Sequence, residues 1–138
     1  MAAPVRHLVL DNEAVSALLA TAPQQSKRAQ VLEAIMAANG RTVVPTTVRC
    51  EALWDRTQQA AAAANLHVQD DDPLDASAAN RNVQLRTVVP GASLVDASLV
   101  VTAERLSGGD VVEILTSDPG DVAALSGYTD VRIDLHTL

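Results

Sequence analysis

The strongest constraint on this chain is the alternation, from one end to the other, of short aliphatic or β-branched runs with stretches of helical periodicity. Val5-Arg-His-Leu-Val-Leu10 reads as a strand, and Ala14 to Ala20 as a helix that Pro23 ends. A second helix follows, with Val31, Leu32, Ile35 and Met36 at three- and four-residue spacing and Asn39-Gly40 as a left-handed stop. Thr42-Val43-Val44 is a strand closed by Pro45. Thr46 and Thr47 then cap a helix carrying Val48, Cys50, Glu51, Ala52, Leu53 and Trp54, which runs on into the alanines of 58–64. Leu66-His-Val68 reads as a short strand, and Asp70-Asp-Asp-Pro73 as a turn and helix start.

The pattern repeats in the second half. Leu74 to Val89 is helical and stops at Pro90-Gly91. Ser93 caps a helix whose Val95, Leu99, Val100, Ala103 and Leu106 share one face, with Gly108-Gly109 as its stop. Val111-Val-Glu-Ile-Leu115 is the clearest late strand, and a short helix (Val122–Ser126) and a last strand (Val131–Leu135) complete the chain. Strands alternating with helices predict one α/β domain over residues 1–138, with a mainly parallel central sheet flanked by helices. At 138 residues such a domain buries a core without metal or disulfide staples.

Acids stand where that fold builds sites. In open α/β sheets ligands bind beyond the carboxyl ends of the strands, where strand order reverses, and right-handed crossovers bring those ends to one edge. Asp11 follows the first strand, Glu51 lies early in the mid-chain helix, Asp96 starts a late helix, and Asp118 follows the next strand. Each alone is an ordinary turn or cap residue. Their joint arrangement is not ordinary.

Composition narrows the chemistry. Trp54 and Tyr128 are the only aromatics, so Ala, Val and Leu must fill the core, and a stacking platform for single-stranded nucleic acid is disfavoured. A net charge of −7 argues against nonspecific attraction to nucleic acid, though not against RNA chemistry at a metal site. The single cysteine, Cys50, precludes an internal disulfide and fits a reducing compartment, so the cytoplasm is the expected location. The N-terminal apolar run is too short for a signal or a membrane span.

Four segments, Leu8-Val-Leu-Asp11, Val44-Pro-Thr-Thr-Val-Arg-Cys-Glu51, Val95-Asp-Ala-Ser-Leu-Val-Val-Thr-Ala103 and Ile114-Leu-Thr-Ser-Asp118-Pro-Gly-Asp121, resemble in order and spacing the PIN-domain nucleases, and specifically the VapC-like toxins of bacterial toxin–antitoxin pairs. The resemblance spans nearly the whole chain. It implies a PIN-like three-layer domain and a site in which Asp11, Glu51, Asp96 and Asp118 are catalytic and hold Mg²⁺ or Mn²⁺, with Asp121 and Thr116 in support. It also implies a cognate antitoxin, a homodimer, an RNA substrate, and products with 5′-phosphate and 3′-hydroxyl ends. The chain departs from the family at Glu13, where Ser or Thr is common.

Clustered carboxylates raise one another's pKa unless a cation neutralises them, and Mg²⁺ prefers oxygen ligands while using few direct carboxylates. Asp11 and Asp96 are the expected direct ligands, with Glu51 and Asp118 acting through water or a second ion. Arg49 and Arg56, one heptad apart on the Glu51 helix, are the candidate RNA contacts, with a salt-bridged surface as the alternative. Asp55, a helical turn from Glu51, is expected to pair with an arginine. Cys50 reads as a buried small hydrophobe, and His7, His67 and His136 as structural or surface residues. Two rivals remain. One is a noncatalytic PIN-like binding module; the other is a phosphoacceptor signalling domain, disfavoured because the only lysine, Lys27, lies early in the chain.

Overall fold

The computed structural model describes residues 4–19 and 25–138; the expected helix end at Ala20 and Pro23 lies outside them. Five strands form one all-parallel sheet: β1 (Arg6–Leu10), β2 (Thr42–Pro45), β3 (Asp70–Asp72), β4 (Val111–Thr116) and β5 (Ile133–Thr137). Their order is β3-β2-β1-β4-β5. The central β1 pairs Val9 with Val43 on one side and with Ile114 on the other. Helices α1 (Asn12–Leu19) and α2 (Gln25–Ala37) pack together after β1, and α2 lies over the side of the sheet that carries Leu8 and Leu115. α3 (Thr46–Glu51) follows β2 directly, α4 (Ala62–His67) precedes β3, and α5 (Ala76–Val88) lies against α6 (Leu94–Ser107). α6 crosses β1, β2 and β4, and α7 (Pro119–Ser126) bridges α6 and β5. No helix among the described residues is long and apolar enough to cross a membrane.

The core follows the aliphatic composition. Leu8, Val9, Leu10, Ile114 and Leu115 from the strands meet Val15, Leu99, Val100 and Leu125 from the helices, all at 2% exposure or less. Such β1 and β4 runs are apolar on both faces, as strands covered by helices on both sides must be.

Several local expectations are corrected. The mid-chain helix does not run on into the alanines: α3 ends at Glu51, Leu53 takes the left-handed conformation (φ 55°), and a 3₁₀ turn (Gln59–Ala61) leads into α4. Trp54 is the reason. It is buried to 3% exposure, its ring lies 4.2 Å from the Arg56 guanidinium, and its carbonyl accepts from Arg49 Nε (3.3 Å), so the chain folds back over it. The residues expected as a strand at Leu66–Val68 are the end of α4 and its exit, and β3 falls on the three aspartates instead. Acids are poor strand formers. Here each is charge-paired: Asp70 with Arg41 (3.2 Å), Asp71 with Arg49 (2.9 Å) and Arg56 (2.7 Å), and Asp72 with Arg105 (3.0 Å). A charged strand also suits a sheet edge, where it deters pairing with other chains.

Thr46 and Thr47 do not cap α3 with their side chains; Pro45 holds the N-cap position, and Thr46 Oγ1 accepts from the Leu74 N–H (3.1 Å). Gly40 is not left-handed. It is required by crowding, since a Cβ there would stand 2.6 Å from His7 Nδ1 and 2.8 Å from the Arg6 carbonyl oxygen. Met36, expected on the apolar face of α2, is 85% exposed. The last strand begins at Ile133, two residues later than expected, and α7 starts at Pro119, whose missing N–H is harmless at the first helical position.

Candidate metal centre

Strand order reverses between β1 and β4, and the acids gather there. Asp11 stands one residue beyond β1, where its N–H still donates to the Leu115 carbonyl (3.2 Å). Its carboxylate is buried (3% exposed). Oδ1 accepts from the Ala14 N–H (2.9 Å), capping α1, and Oδ2 accepts from the Ser117 N–H (2.8 Å) and hydroxyl (3.4 Å). Asp11 therefore fastens the start of α1 to the loop after β4.

The late acids are placed differently. Ser93 caps α6 by accepting from the Asp96 N–H (3.0 Å), so capping leaves the Asp96 carboxylate unused. Asp118 occupies the N-cap position of α7 but makes no side-chain cap bond; its N–H donates to Thr116 Oγ1 (3.0 Å), which fixes the turn. Asp121 follows in the first turn of α7. One oxygen from each of Asp96, Asp118 and Asp121 lies within 4.8 Å of the others.

Glu51 reaches the same place from the end of α3, where Asn12 Nδ2 donates to its Oε1 (3.4 Å). Asp11, Glu13, Glu51, Asp96, Asp118 and Asp121 all line one open pocket of about 280 Å³. Glu13, the residue that departs from the family pattern, pairs with Lys27 at 3.7 Å. The structure thus brings all the expected acids to one pocket but groups them unevenly. Asp96, Asp118 and Asp121 form the tight triplet, while Asp11 and Glu51 line the wall beside it.

Electrostatics disfavour charge on two members of the triplet, Asp96 and Asp121. Burial pushes the Asp96 carboxyl up to about 6, and the charges of Asp118, Asp121 and Asp11 push the same way against the opposing Ser93 hydroxyl. Asp121 is also raised, through its hydrogen bond to Asp118 and that neighbour's charge. A set of oxygen donors, mutually repelling and open to solvent on one side, fits a hard divalent cation that keeps part of its water shell. Asp96, Asp118 and Asp121 are the residues that could hold one.

Arg49 and Arg56 do not share a helix. Both turn to Asp71, and Arg56 also donates to the Val68 carbonyl (2.8 Å). Asp55 lies in a turn and accepts from the Thr57 N–H (2.9 Å) and hydroxyl (2.7 Å), with no ion pair among the described residues. Cys50 is exposed, contrary to the expectation of a buried thiol. His7 is structural: its Nδ1 accepts from the Arg41 N–H (3.0 Å), which leaves Nε2 to donate to Asp110 (2.9 Å). Sequence reasoning missed Asn12 and Ser117. Both adjoin an expected acid, but their bonds to Glu51 and Asp11 join residues 39 and 106 positions apart.

Among solved structures, a chain from the structure of FitAB bound to an IR36 DNA fragment matches with a TM-score of 0.56 at 19% identity, covering 93% of this chain and 94% of that one. At that identity the likeness establishes the fold alone, a PIN-like three-layer α/β architecture. No family model matches the sequence, and no curated protein matches it.

Proposed function

We propose that residues 1–138 form one PIN-like nuclease domain, a metal-dependent endoribonuclease that is the toxin of a toxin–antitoxin pair. The observation that carries this reading is the convergence of Asp11, Glu51, Asp96, Asp118 and Asp121 on one pocket at the strand-order reversal. The motif resemblance and the shared fold support it. Cytoplasmic action, a homodimer and a cognate antitoxin belong to the same reading.

The roles follow from the contacts. Asp96, Asp118 and Asp121 would hold Mg²⁺ or Mn²⁺, which when bound supplies the Lewis acidity that polarises a phosphate oxygen and acidifies water. Asp11 keeps α1 and the Ser117 loop in register around that triplet, and the one lone pair left on its Oδ1 is available to the site. Thr116 holds the Asp118 turn. Glu51 is exposed and loosely held by Asn12, which leaves its carboxylate free to orient and deprotonate the attacking water. Water gives a proton to Glu51 as its oxygen attacks phosphorus, the bond to the 3′ oxygen breaks, and that oxygen takes a proton from solvent and leaves as a hydroxyl, giving a 5′-phosphate on the other fragment. No covalent protein intermediate is needed.

One observation favours a second reading. Both oxygens of Asp11 already serve the fold, as a noncatalytic binding module with retained acids would require. Induction of the wild type and of Asp96→Asn in one bacterial host, at matched soluble levels, separates the two. Arrest of growth and protein synthesis by the wild type alone is expected; equal arrest by both would favour the noncatalytic module.

A further inference from the structure

The nuclease needs a positive group for the RNA strand, and this chain has few to offer. Of its ten Lys and Arg side chains, eight lie in ion pairs with carboxylates: Arg6, Lys27, Arg41, Arg49, Arg56, Arg81, Arg105 and Arg132. Among the described residues that leaves Arg28 and Arg86. Arg28 donates to the Leu18 carbonyl (2.8 Å), on the α1–α2 side. Arg86 is exposed and is tied to the turn whose Gly91 and Ser93 line the acidic pocket.

Its position is fixed by a turn. After α5 the chain reverses at Val89-Pro-Gly-Ala92, where the Ala92 N–H donates to the Val89 carbonyl (3.2 Å) and Gly91 takes φ 88°. Pro then glycine at the two central positions is the signature of a type II turn. Gly91 and Ser93 line the acidic pocket, and Arg86 Nε donates to the carbonyl of Ala92 between them (3.1 Å). One donor of the guanidinium anchors it to the turn beside the pocket, and among the described residues no carboxylate pairs with the rest. A Cβ on Gly91 would meet nothing within 4 Å, so the rim beside the turn is open.

We propose that Arg86 binds a backbone phosphate of the RNA strand next to the one being cleaved, a role that rests on the nuclease reading. A guanidinium with unpaired N–H groups at the edge of an acidic pocket offsets the repulsion that an acidic protein presents to a polyanion. Its donors match phosphate oxygens in a way the committed Arg49 and Arg56 cannot.

The test is binding of a fluorescein-labelled, mixed-sequence single-stranded RNA to the 138-residue chain over a range of KCl, with Ca²⁺ replacing Mg²⁺. Wild type is compared with Arg86→Ala and Arg86→Gln. Gln places its Nε2 where Arg Nε sits, so it can keep the bond to Ala92 while losing the charge. Both variants should bind about tenfold more weakly at low salt, with the slope of log affinity against log salt reduced by about one. In Mg²⁺ they should cleave with a raised KM and a retained kcat. Wild-type affinity and slope in Arg86→Gln would reduce Arg86 to a loop anchor and overturn the proposal, as would no wild-type binding. Arg86-dependent binding with no cleavage by the wild type would instead sink the nuclease reading and leave the phosphate contact standing.

Discussion

Asp96 is the residue on which charge and chemistry meet. Its carboxyl is raised from 3.8 to about 6, so between those values the folded chain holds a proton that the unfolded chain releases. The favourable contribution is therefore complete at pH below 3.8 and is lost as pH rises through 6, the reverse of a salt-bridged acid. In EDTA at pH 7, Asp96→Asn should stabilise the fold by about 1–2 kcal/mol, a modest figure because water reaches this carboxyl. The same substitution should abolish cleavage. Mg²⁺ should reverse the pH trend, because it requires the ionised triplet. Thermal unfolding with and without Mg²⁺ checks both points: the rise in Tm on adding Mg²⁺ should be largest above pH 6, fade below it, and vanish in Asp96→Asn.

At the scale of elements, the apolar strands and the acids at their ends were legible in the sequence, because burial on both faces and a site at the strand ends both leave local signatures. The α3 to β3 segment was not. Alanine-rich helix propensity is a weak preference, and the burial of Trp54 between Arg49 and Arg56, which depends on Asp71 seventeen residues later, outweighs it. Asp70-Asp-Asp72 becomes a strand only because arginines from β2's approach, α3, the turn at Arg56 and α6 neutralise it, and no local window contains them. The break leaves Leu53 left-handed and 88% exposed. Leu53→Gly should relieve that backbone and raise stability by about 1 kcal/mol, seen as a higher denaturant midpoint at unchanged slope. Unchanged or lower stability would mean that the leucine side chain contributes packing its exposure does not suggest.

For the whole molecule, seventeen acids face ten cations, most of the cations are committed to ion pairs, and six acids share one pocket. The excess negative charge is thus concentrated where the sheet reverses its strand order. Asp11, Glu51, Asp96 and Asp118 were legible from their places along the chain, and Asp121 from the resemblance to the family motifs; their division into a triplet and two flanking carboxylates required the three-dimensional turn after β4. Low millimolar Mg²⁺ should therefore raise Tm more than NaCl of equal ionic strength, since a bound ion neutralises the triplet while screening only softens it. Equal effects of the two salts would count against a metal site. The most direct test of the central claim is cleavage of single-stranded RNA by the purified chain in Mg²⁺ and in EDTA, with Asp96→Asn alongside and folding verified for both. Fragments with 5′-phosphate and 3′-hydroxyl ends, made only by the wild type and only with the metal, are the expected result. Cleavage that persists in EDTA or in folded Asp96→Asn, or no cleavage at all, would contradict it.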